Sequence, residues 1–146
     1  MSFRAALSIV LATFLFLGSA CKSPQATGGA WITLPSGLGV TDLVKGQGAQ
    51  PKIGQTCVVE ALGWIEEDGA KGRSFLDTRK RGFPVRFPLG GGRVIKGWEE
   101  GLATMQKGGK RLLRVPPALG YSPQELGQDI PPGSTLIFEL ELLDIR

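Results

Sequence analysis

From Pro35 onward the chain is written in short runs of alternating apolar and polar residues, separated by glycine and proline. The last run is the clearest. In Leu136–Ile145, Phe138, Leu140 and Leu142 fall on one side and Glu139 and Glu141 on the other, the period of two that a half-buried strand demands. β-Branched and aromatic residues mark four more strands, Leu38–Val44, Thr56–Ile65, Phe83–Leu89 and Arg111–Val115. Turn residues lie between them at Gly46-Gln47-Gly48, Asp68-Gly69, Gly90-Gly91-Gly92, Gly108-Gly109 and Pro131-Pro132-Gly133. One segment keeps a different period. Across Gly97–Gln106, Trp98, Leu102 and Met105 recur at i, i+4 and i+7, which predicts a helix with one apolar stripe. Glu99 and Glu100 suit its positive end, and Gly108 closes it. A short helix laid across an antiparallel sheet is the simplest α+β arrangement of these elements.

Composition narrows this further. The 146 residues hold one domain once a leader is set aside, and 22 glycines and 10 prolines without a triplet period belong to turns. The net charge of +4 falls to +3 if Arg4 leaves with the leader. Basic residues cluster only at Arg79-Lys80-Arg81 and from Lys107 to Arg114, without interleaved aromatics. This describes a solvated face, and nucleic acid is not expected as a partner. Histidine is absent, which removes the commonest general base, the usual zinc ligand and every nucleophile–imidazole pair. No metal or cofactor is expected.

Ala5–Leu17 is an apolar stretch of about 13 residues behind Arg4, too short to span a bilayer and suited to the core of a secretory signal over residues 1–20. Gly18-Ser19-Ala20 leads directly into Cys21. That junction resembles a bacterial lipobox, which implies lipidation of Cys21 and a tether over residues 21–34. Lys22, in place of an inner-membrane-retaining aspartate, implies the outer membrane, facing the periplasm. Gly18 stands where the lipobox has a larger aliphatic residue, so plain cleavage after Ala20, giving a soluble periplasmic protein, stays open. Cys57 lies in an apolar strand and reads as a buried, inert thiol.

Two glycine-rich stretches fail as phosphate cradles. No Lys-Ser or Lys-Thr follows Gly90-Gly91-Gly92 at the required spacing, and Gly108-Gly109-Lys110 precedes a strand rather than a helix. The acidic Glu66-Glu67-Asp68 surrounds a hairpin tip and is expected to be solvent-exposed.

Aromatic residues recur in nearly every element: Phe75, Phe83, Phe87, Trp98, Tyr121 and Phe138. Alone, they are core candidates. In order along the chain stand Val94-Ile95-Lys96-Gly97-Trp98-Glu99-Glu100-Gly101, Lys110-Arg111, Pro116-Pro117, Gly120-Tyr121, and Ile130-Pro131-Pro132 with Leu136–Leu140. From Pro35 to Arg146 this series resembles the FKBP-type peptidyl-prolyl isomerases, with a tip at Glu66–Arg73 about three residues longer. The resemblance implies an isomerase domain over residues 35–146, in which a twisted antiparallel sheet wraps one short α-helix. It implies a pocket with Trp98 as floor and Phe75, Phe87, Tyr121 and Phe138 as walls. Val94, Ile95 and Ile130 would contact substrate, as would Arg81. The Ile95 N–H and the Tyr121 hydroxyl would bond the ligand. Partners would be proline-containing polypeptides and, weakly, macrolides of the tacrolimus kind. No helical arm precedes the domain, so a monomer is expected.

The chain departs from the family at two positions that face each other beside the pocket. Ala61 replaces a tyrosine and Leu76 an aspartate, removing both partners of one hydrogen bond. Such a double change is far less costly than stranding one partner. Asp77 is no substitute, since adjacent strand residues face opposite sides; Arg81 is left to solvent or to Asp77. The loop Ser122–Asp129 also departs, with no glycine after Tyr121 and with Asp129 where an apolar residue is usual. Reduced activity is expected. The alternative is a weak or inactive relative that acts as a chaperone or peptide-binding module.

Overall fold

The computed structural model describes residues 30–146. The expected signal peptide, Cys21 and most of the tether lie outside these residues. No helix among those described is long and apolar enough to cross a membrane.

Among the described residues seven antiparallel strands form one sheet: β1 Ile32–Thr33, β2 Gly39–Val44, β3 Thr56–Glu67, β4 Ala70–Asp77, β5 Val85–Pro88, β6 Lys110–Val115 and β7 Leu136–Ile145. The spatial order is β1-β2-β6-β7-β3-β4, and β5 pairs with the first half of β3. β3 and β7 are the axis of the sheet, paired from Cys57–Ile145 to Ile65–Leu136 with one register shift between Val58 and Val59. On β7, Phe138, Leu140 and Leu142 are wholly buried while Glu139 and Glu141 are partly exposed, as their alternation predicts. The sheet starts at Ile32, three residues ahead of the boundary expected at Pro35, because Ile32 and Thr33 pair with Val40 and Gly39.

Helix α2, Lys96–Ala103, lies on the buried face, with Trp98 and Leu102 inward. It is shorter than expected. The Met105 N–H turns back to the Leu102 carbonyl at 3.0 Å, and Met105 is buried beyond the helix end. Gly97 and Gly101, one turn apart, face β6: a Cβ on Gly101 would stand 2.6 Å from Leu113 and one on Gly97 2.8 Å from Val115. These two glycines let the helix lie close on the sheet. At its far end Arg111, 7% exposed, reaches both carboxylate oxygens of Asp42 at 2.6 and 3.1 Å and also the Gly101 carbonyl and Thr104 Oγ1.

A four-residue helical turn, α1 at Thr78–Arg81, accompanies the expected helix among the described residues. Asp77 caps it, accepting the Arg79 and Lys80 N–H groups at 3.0 and 3.1 Å. The hairpin tip forms as expected, with Asp68 and Gly69 both at positive φ, 50° and 78°. Glu66 is a correction. Its side chain is only 9% exposed and meets Arg114 with both oxygens, at 2.8 and 3.0 Å. Phe83 precedes β5 and is 67% exposed. Cys57 is fully buried and free, and burial pushes its thiol pKa up.

Candidate functional site

The carbonyl of Ile95 accepts the N–H groups of Trp98 and Glu99 at 3.0 and 3.3 Å and so starts α2. Trp98, in the first turn, is thereby aimed at the sheet. Its indole meets Phe138 edge-on, with centroids 5.3 Å apart at 89°, and Phe87 at 6.1 Å and 48°. Phe138 meets Phe75 edge-on at 5.6 Å. Rings from α2, β7, β5 and β4 thus form one continuous cluster, and each such pair adds about 0.5–1.5 kcal/mol beyond burial. Gly63 makes room for it: a Cβ there would lie 3.0 Å from both the Phe138 and Phe75 rings. The Trp98 Nε1–H is the one buried side-chain nitrogen or oxygen without a partner among the described residues.

Beside this cluster a cavity of about 490 Å³ opens between the start of α2 and the segment after β6. Val94, Ile95 and Tyr121 line it. The other expected residues divide differently. Phe138 has no exposed surface, Phe87 and Trp98 have 3% and 4%, and none of the three lines the cavity; they are packed core behind it. Phe75 and Ile130 are partly buried against the same core. Arg81 is exposed, but its charge acts on Tyr121. The polar part of the cavity wall, Arg93, Lys96, Glu99 and Glu125, was missed. The visible signal was the pair of cations flanking Val94-Ile95.

Two donors are free. The Ile95 N–H and the Tyr121 hydroxyl make no hydrogen bond among the described residues. Desolvation raises the Tyr121 pKa above its ordinary value, Glu125 adds to the rise, and Arg81 opposes it. The phenol therefore stays protonated well past neutral pH. A raised folded-state pKa contributes stability that is complete below the unfolded value, about 10 for tyrosine; it is lost as pH climbs through the folded value. With no histidine in the chain, kcat/KM is expected to be flat from about pH 5.5 to 9 and to fall above about pH 10. A titrating step between pH 6 and 8 in the rate profile would contradict this assignment.

The substituted pair leaves nothing stranded. Ala61 is buried, Leu76 packs against the core, and the buried Thr78 Oγ1 accepts the Ala61 N–H at 2.9 Å. Asp77 is occupied as a helix cap and lies 3.8 Å from Lys80 Nζ, so Arg81 has no bond to it. The loop after Tyr121 holds itself together. Glu125 Oε2 accepts the Ser122 N–H and hydroxyl at 2.9 and 2.8 Å, and these bonds lower the Glu125 pKa. Asp129 is exposed and pairs with Arg73, whose guanidinium also donates to the Asp129 carbonyl.

Fold and site together define a class: an antiparallel sheet closed over a helix, with an aromatic base beside a cavity that offers hydrogen-bond donors to an amide. The chain belongs to the FKBP-type peptidyl-prolyl cis-trans isomerase family, whose model matches residues 47–143, and members of that family are peptidyl-prolyl isomerases. It is 45% identical over 109 residues to the FK506-binding protein of Neisseria meningitidis serogroup B, covering 75% of this chain and 96% of that one. FK506-binding protein 1 of Gibberella zeae is 43% identical, with 75% and 98% covered. The crystal structure of FkpA from Escherichia coli superposes with a TM-score of 0.72 at 39% identity, over 83% of this chain and 54% of that one. AtFKBP13 gives 0.73 at 35% identity, over 81% and 100%.

Proposed function

We propose that the pocket takes up X–Pro segments of exported polypeptides and lowers the barrier to rotation about the imide bond. That barrier is roughly 18–20 kcal/mol because resonance makes the C–N bond partly double, and uncatalysed exchange takes roughly 10–100 s. A twisted imide loses this resonance and much of the polarity that water solvates. The proline ring rests against the Trp98 base with Phe75, Phe87 and Phe138 around it, while Val94, Ile95, Ile130 and Arg81 contact the flanking chain. Tyr121 and the Ile95 N–H bond the substrate carbonyls. Only the rotating state gains fully from this apolar surface, and that differential binding is the catalysis. No proton is transferred.

The observation that carries this reading is the unbroken ring cluster next to a cavity bearing two unpaired donors. Loss of the polar pair at Ala61 and Leu76 reduces the rate and weakens binding of tacrolimus-like macrolides. A lipid on Cys21 holds the domain at the outer membrane; an unmodified cysteine in mass spectrometry of the extracted protein would refute the anchor.

Exchange NMR on an Ala-Leu-Pro-Phe peptide is the test. The protein is expected to accelerate exchange, and Tyr121→Phe to cost about 2–10-fold in kcat/KM, the worth of one hydrogen bond of about 0.5–1.5 kcal/mol. Acceleration no greater than that of Trp98→Ala would leave a binding module instead.

A further inference from the structure

The cavity wall carries four charges, but they are not equally available. Glu99 Oε1 accepts the Gly92 N–H at 2.9 Å, and Glu125 Oε2 accepts both the N–H and the hydroxyl of Ser122. Arg93 and Lys96, on the same wall, are exposed and make no hydrogen bond or ion pair among the described residues. They stand on either side of Val94-Ile95, so both bracket the proposed substrate-binding backbone. The start of α2 opens here too, where Ile95 provides no side-chain cap, and the unpaired N–H groups of a first turn add partial positive charge. Glu99 and Glu125 each have one oxygen engaged by the protein, whereas the two cations, the Tyr121 hydroxyl and the Ile95 N–H have no partner among the described residues. A substrate side chain with acceptor oxygens matches the wholly unpartnered groups, while an ammonium group would have to compete for carboxylates that the protein already engages.

From this we infer that the site selects X–Pro segments with an acidic residue next to the proline, and that Arg93 and Lys96 read that residue. The inference rests on the isomerase reading and adds the substrate class. Both cations are solvent-exposed, and exposed pairs are individually weak, so the preference is set by two of them together. Glutamate beside proline gains about 3–10-fold over leucine in kcat/KM, and lysine loses by a similar factor. The gain shrinks as salt is raised.

Exchange NMR on Ala-X-Pro-Phe and Ala-Leu-Pro-X peptides, with X as Glu, Leu or Lys, gives turnover on both sides of the proline without a coupling protease. Chemical-shift titration of the protein with the same peptides gives affinity even where turnover is absent. Arg93→Glu/Lys96→Glu, both surface changes, is expected to reverse the Glu-to-Lys ratio while altering the leucine peptide less than 2-fold. Equal rates and equal affinities for Glu and Lys peptides on both sides, or a ratio unmoved in the double variant, would overturn the inference. Absence of turnover with charge-selective binding would overturn the isomerase reading alone.

Discussion

Trp98→Phe is expected to lower kcat/KM about 5–10-fold while leaving stability within about 1 kcal/mol of the parent. Trp98 is only 4% exposed, so the loss comes from a packed support that recedes beneath the substrate rather than from direct contact area, and a misplacement of about 1 Å can cost up to about 100-fold. Stability is spared because the same change loses a little burial but also removes a buried N–H that has no partner, whose presence costs about 1–3 kcal/mol. Trp98→Ala differs in kind. Trp98 packs on both Phe87 and Phe138, so the cavity left behind should cost about 3–5 kcal/mol. Urea unfolding and kinetics on both variants check this: equal losses of stability from Phe and Ala would show that the indole is only filler.

Arg111→Leu is expected to cost about 2–4 kcal/mol. From β6, one guanidinium joins Asp42 on β2 to the Gly101 carbonyl on α2 and to Thr104 just past its end. Leucine fills part of the space but strands a carbonyl and leaves a carboxylate without its partner. Asp42 is half-exposed and can recover water, which keeps the cost at the lower end. Asp42→Asn, which keeps an acceptor, should cost less than half as much. The check is a fall in the urea midpoint with an unchanged m-value. A fall equivalent to under about 1 kcal/mol would make the network no stronger than a surface ion pair.

What the chain disclosed in advance depended on the range over which its signals act. The alternation in β7 and the Trp98–Leu102 stripe are local, and both elements appeared where expected. The helix end was misjudged because Met105 stays on the buried face after the backbone has left the helix, so burial outlasted the hydrogen bonding. Helix α1 was overlooked as a run of cations, although Asp77 ahead of Thr78 is a cap signal. The two-residue β1 has no periodicity to detect. Glu66 was misplaced because its partner Arg114 is 48 residues away. The aromatic base of the site was legible only through resemblance, since its rings come from four elements. Of the charged wall only the cations flanking Val94-Ile95 were legible; Arg93 and Glu125 lie outside helices and strands and come to one cavity only in three dimensions.

The position of β7 bears on how the molecule comes into being. The strand that is last in sequence lies between β6 and β3, and it supplies Phe138 to the ring cluster. Until Leu136–Ile145 leaves the ribosome, β3 and β6 have no neighbour to join them and Trp98 has one face bare. Native structure thus waits for β7 to emerge, and contacts this distant in sequence close slowly. Until that strand is free, a nascent chain of this design stays pliable.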